Sequence, residues 1–145
     1  MSASALLASV PPGVLLVVGA LLLPLLRGGL RGAALLALPV GTELHLTLFG
    51  YDLQPVRVDR LSLVWGWVFH VAAFVSALYA LHVKDVGQHV AGLAYAGAAI
   101  AGVFAGDLIS LFLFWEMMAL TSVFLVWASR TERSYRAGMR YLVVQ

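Results

Sequence analysis

Apolar residues fall in long blocks along this chain, and short segments where charges, Gly and Pro gather separate them. The block from Val14 to Leu26 predicts a first helix over about Pro11 to Leu26. Pro11 and Pro12 suit a helix start, where a missing N–H leaves nothing unsatisfied, and Pro24 predicts a kink in the last turn. No basic residue precedes the block, while Arg27 and Arg31 follow it, so it reads as a membrane helix and not as a cleaved signal peptide. A second, weaker span at about Leu30 to Leu46 is limited by Pro39, Glu43 and His45, and is short enough to lie at the interface. From Leu44 to Ser62 the pattern changes to near alternation of apolar and polar residues around a Gly/Tyr/Asp turn, LHLTLFGYDLQPVRVDRLS. That pattern predicts an amphipathic β-hairpin at the membrane edge.

Helix three follows over Leu61 to Leu81, with Trp65, Trp67 and Tyr79 suited to the two interfaces, and HVKDVGQH then forms a polar loop. Between Val90 and Ala128 the charges are Asp107 and Glu116 alone. As one helix this stretch would be roughly 58 Å long, about twice the ~30 Å hydrocarbon core, so it must fold back at Gly106-Asp107 into helices four and five. Helix four, AGLAYAGAAIAGVFAG, is rich in small residues and carries a GxxxG at Gly102 and Gly106, a composition that lets helix backbones approach closely inside a bundle. SRTERSYRAGMRYLVVQ is a basic loop and the start of a sixth apolar helix. The expected fold is an all-α membrane protein: a single membrane domain over residues 1–145 with about five transmembrane helices, the start of a sixth, and the short hairpin before helix three.

Composition agrees. Of 145 residues, 62% are hydrophobic and 11% charged, and the mean hydropathy is +0.96, too apolar for a water-facing exterior. There is no Cys, which excludes disulfides, thiolate metal sites and a Cys nucleophile. The net charge of +2 is small, and the basic residues sit between apolar runs and form no patch suited to nucleic acid. With the N-terminus outside, Arg27, Arg31, Lys84, Arg130, Arg133, Arg136 and Arg140 face the cytoplasm, and only Arg57 and Arg60 face out. The expected location is the cell inner (plasma) membrane, multi-pass, with the N-terminus and the hairpin external.

Glu116 is the sharpest chemical signal. A charge in the middle of a membrane helix costs on the order of 2.5 to 3.5 kcal/mol, and such residues mark ion or proton pathways. An opposite charge at about 4 Å returns roughly 4 kcal/mol at an effective dielectric near 20. No Lys or Arg in this chain is placed to supply it, since each lies in a loop or near a helix end. Glu116 is therefore expected to relay protons against a cationic partner from elsewhere. His70, in the middle of helix three, is the second candidate relay, set against a neutral His bonded to a neighbouring helix. Asp107 reads as the N-cap of helix five and, at about 180° around that helix from Glu116, not as its partner. Thr121 and Ser122 are expected to return their hydroxyls to their own backbone, and Asp59 and Arg60 to lie in an exposed polar loop. Only His70 is deep enough for a haem axial ligand, and His45, His82 and His89 lie near helix ends, so no haem is expected. No P-loop, GxGxxG, zinc motif or Ser/His/Asp grouping appears, so no cofactor, metal site or independent active site is expected.

GDLISLFLFWEMMALTSVFLVW followed by RAGMRYLVVQ, with VDRLSL at Val58 to Leu63, resembles the antiporter-like membrane subunits of respiratory complex I and of Mrp-type cation/proton antiporters, nearest the D-type group within the Mrp antiporters. The FWEMM core carries most of the specificity. The resemblance implies a fold of about fourteen helices in two inverted repeats, of which this chain would be the N-terminal portion: the first five helices and a fragment of the sixth. It also implies that Glu116 pairs with a lysine on helix seven and takes part in translocating protons, with Na⁺ as a second candidate ion. The implied partners are other membrane subunits of a multisubunit complex, one of them the polypeptide that supplies the remaining helices and the lysine. By this resemblance the complex would be either a NADH:quinone oxidoreductase or an Mrp antiporter. A structural or assembly subunit that does not transport is the alternative.

Overall fold

The structure, a computed structural model, describes residues 12–49 and 57–144. Among the described residues there are six helices and no strand: α1 (Pro12–Leu22), α2 (Gly29–Phe49), α3 (Arg60–Ala80), α4 (Val86–Val103), α5 (Leu108–Trp127) and α6 (Glu132–Val144). Three of them, α3, α4 and α5, are long and apolar enough to cross a membrane. Two shorter apolar helices cover Gly13–Leu25 and Gly29–Thr42. Among the described residues three spans, not the five expected, thus meet the length and hydropathy that spanning requires. α1 ends early because Pro24 lies in a 3₁₀ turn over Leu23–Leu25, the predicted kink, and the apolar part of α2 stops where Glu43 and His45 follow.

The β-hairpin expected over Leu44 to Ser62 is not formed. Leu44 to Phe49 continue α2, and Arg60 to Ser62 open α3, while the turn itself lies outside the described residues. Extending an existing helix satisfies each new backbone group within the segment, whereas a two-stranded ribbon leaves open edges that lipid cannot hydrogen-bond. The downstream half of the alternation is a helix-start signal. Asp59 accepts from Ser62 N at 2.8 Å while Ser62 Oγ accepts from Asp59 N at 2.7 Å, a reciprocal capping box.

α4 is the central helix, packed by α1, α5 and α3, while α2 lies against α1 and α3 and α6 against α5. Its small residues make this possible, and 44% of its most apolar stretch is buried against 11% for α5. The closest approach is between α1 and α4. A Cβ on Gly97 would lie 2.7 Å from the Gly13 carbonyl oxygen and 3.0 Å from Val17 N. The GxxxG of Gly102 and Gly106 does not make this contact: a Cβ on Gly102 would meet Phe114 and Leu111 at an ordinary 3.8 and 4.0 Å, and Gly106 lies beyond the end of the helix. Leu16, Ala20, Leu35, Leu93, Ile100 and Phe104 belong to the core cluster. Phe104, 0% exposed just past the end of α4, seats its ring against Gly66 of α3.

Loop contacts tie the helices together at both ends. At one end Arg130 bonds Asp85 at 2.9 Å, joining the α3–α4 loop to the α5–α6 loop. At the other, Arg57 N donates to the Phe104 carbonyl at 2.9 Å, joining the segment before α3 to the α4–α5 turn. Arg31 sits in the first turn of α2 and donates from Nη2 to the Leu26 carbonyl at 2.6 Å, closing the connection after α1.

Candidate functional site

α5 begins where Asp107 caps it. The Asp107 carboxylate accepts from Ser110 N at 2.8 Å and from Ser110 Oγ at 2.7 Å, and the backbone bond above all holds its pKa below the usual carboxylate range. The capping role read from the sequence is observed. From there the helix runs unbroken to Trp127 with Glu116 near its middle.

Around α5, residues seven and eleven apart nearly eclipse, so Ile109, Glu116, Val123 and Trp127 share one stripe, with Phe112 and Ala119 beside it. The two halves of that stripe differ. Ala119 and Val123 are buried, and α6 lies over the C-terminal end, with Gly138 against Trp127 and Ser122 Oγ 3.1 Å from the Tyr141 hydroxyl. Ile109 and Phe112 at the other end are exposed. Glu116 stands half-buried at the border between them. It makes no hydrogen bond or ion pair with any described residue, and neither Lys84 nor any described Arg reaches it.

His70 is buried on α3, on the stripe that carries Ser62, Gly66, Ala73 and Ala77. Its ring lies 2.8 Å, through Nδ1, from the Gly66 carbonyl one turn back, a contact in which Nδ1–H is the donor. Its helix and that of Glu116 both flank α4, and no hydrogen bond or ion pair joins the two side chains. A groove of about 780 Å³ runs between α3, α4 and α5, walled by residues such as Phe69, Ala73, Ala96, Leu111 and Met118, with Gln88 and His89 at one end. Neither Glu116 nor His70 lines it.

Thr121 and Ser122 return their hydroxyls to α5, Thr121 to the Met117 carbonyl and Ser122 to the Ala119 carbonyl, both at 2.7 Å. Asp59, placed in an exposed loop by the sequence, is the α3 cap. Its pKa is lowered first by the Ser62 backbone bond and further by Arg57, 3.6 Å away. Two further residues matter that the sequence pattern did not single out. His89 is buried in the first turn of α4, its Nε2 2.8 Å from the Val83 carbonyl. Asp85 caps α4 through Gly87 N at 2.9 Å, which with Arg130 holds its carboxyl low. An Asp just before an apolar helix signals the cap, but nothing local signals a partner in another loop. Among the described residues no group of three or more His, Asp and Glu could hold a metal ion.

The stretch bearing Glu116 is also the one that a known family model matches. Residues 105–145 match the family model described as NADH:quinone oxidoreductase/Mrp antiporter, TM. A relative, NADH-quinone oxidoreductase subunit N 2 of Solibacter usitatus (strain Ellin6076), is 32% identical over 96 residues, a match that covers 61% of this chain and 20% of the relative. The chain therefore spans about a fifth of the length of that protein. No solved structure matches. Together the two matches bear out the resemblance carried by the α5 stretch: residues 105–145 are similar to the NADH:quinone oxidoreductase/Mrp antiporter family, and the chain is similar to a fifth of one subunit N.

Proposed function

We propose that this chain is the N-terminal part of a proton-translocating, antiporter-like subunit and that Glu116 is its switchable charge. The observation that carries the reading is the placement of Glu116: mid-helix in a span, half-buried, with no counter-charge among the described residues, on a stripe open at one end. An isolated carboxylate at that depth costs on the order of 3 kcal/mol, and a cation brought to about 4 Å outweighs it. The proton is then released when the cation arrives and taken up when it leaves. The cation is a lysine from the polypeptide that supplies the remaining helices, and that polypeptide packs against the open end of the stripe. His70, its ring oriented by the Gly66 carbonyl, is a secondary relay. The subunit lies in the cell inner membrane with its N-terminus outside, in a complex with other membrane subunits.

Glu116→Gln in the assembled complex tests this. The amide keeps the shape and the hydrogen-bonding capacity but not the charge, so proton transport falls to background while assembly is unchanged. Normal transport would instead favour a structural subunit in which Glu116 only bonds a neighbouring helix.

A further inference from the structure

α6 has two sharply different faces. At ~100° per residue, Arg133, Arg136 and Arg140 fall within about 60° of one another, while Ser134, Gly138 and Leu142 lie on the opposite side. The second face is the one docked on α5: Gly138 is buried against Trp127, and Tyr141, at its edge, is bonded by Ser122. The arginines therefore point away from the bundle, around a recess of about 470 Å³ bordered by Glu132 and Ala137. Arg136 is paired with Glu132 at 3.0 Å, and Arg133 and Arg140 form no ion pair with any described residue.

We propose that this face of α6 binds the phosphate groups of anionic phospholipids at the membrane surface. Three observations favour lipid over an acidic protein partner. Four arginines, counting Arg130, follow directly after a spanning helix, the arrangement in which basic residues meet anionic headgroups. Met139 and Val143 flank the arginine stripe on one side and are 41% and 83% exposed, so an apolar border can enter the acyl boundary while the guanidiniums stay at the phosphates. Trp127 and Tyr135, stacked with ring centres 5.7 Å apart, lie beneath α6 where an interfacial aromatic belt would be. The guanidinium fork matches phosphate oxygens in a way an ammonium does not.

The full chain in detergent, titrated with phosphatidylglycerol or phosphatidylcholine and analysed by native mass spectrometry, tests the proposal. Phosphatidylglycerol should bind with several-fold higher affinity, and added NaCl should narrow that advantage. Arg133→Gln with Arg140→Gln should lower phosphatidylglycerol affinity by about fivefold per arginine and leave phosphatidylcholine unchanged. Both arginines are exposed, so helix content by circular dichroism should not change. If the double variant misfolds, Arg140→Gln alone still predicts the single fivefold step. Equal affinity for the two lipids in the parent chain, or full retention of the preference in a folded variant, overturns the proposal. So does displacement of phosphatidylglycerol by inorganic phosphate at equal concentration, which would make this a free-phosphate site.

Discussion

Gly97→Ala adds one methyl group where α4 meets α1. The new Cβ would stand 2.7 Å from the Gly13 carbonyl oxygen, 2.9 Å from Val17 Cγ2 and 3.0 Å from Val17 N. Two of those three atoms are backbone and cannot rotate aside. Ordinary van der Waals contact begins near 3.4 Å, so the two helices must part by roughly 0.7 Å, a gap that forfeits about a quarter to a half of each dispersion contact it opens. Lipid offers no hydrophobic force to draw them back, since tails solvate the exposed side chains equally well. Overpacking of this kind costs about 1 to 3 kcal/mol, against a helix-propensity gain of about 1 kcal/mol for replacing Gly. The net effect is a loss of up to ~2 kcal/mol. Gly92→Ala is the control, because it lies on the same helix and a Cβ there meets nothing within 4 Å. Unfolding of both variants in mixed micelles, followed by tryptophan fluorescence, should show Gly97→Ala less stable and Gly92→Ala equal to or above the parent. Equal stabilities would refute the α1–α4 contact as the organising one.

Phe104→Ala empties a fully buried site between α3 and the α4–α5 turn, and should cost about 3 kcal/mol in the same unfolding assay. Asp59, Asp85 and Asp107 all have depressed pKa values, led in each case by a backbone N–H bond at a helix start. The stability they contribute is therefore present in full above the unfolded carboxyl value, about 3.9, and is lost as pH falls through the folded values. Thermal unfolding should weaken below about pH 4 in the parent chain, and a variant with all three changed to Asn, which still caps but cannot titrate, should lose most of that dependence.

The apolar blocks, the fold-back at Gly106-Asp107 and the break at Pro24 were all legible in the sequence, because hydrocarbon thickness and proline geometry act on a segment whatever surrounds it. Asp107 as a cap and Glu116 as a charge out of place were legible for the same reason, since their chemistry is local to α5. The hairpin was not: short alternation at Leu44 to Phe49 fits a strand or a helix turn equally, and a helix already under way decides between them. Only the packed structure chose Gly97 over the GxxxG at Gly102, paired Asp85 with Arg130, and put Glu116 at the border between a covered and an open stripe. Local geometry is encoded residue by residue, but which glycine meets a backbone, or which carboxylate meets an arginine, depends on how several helices settle against one another in space.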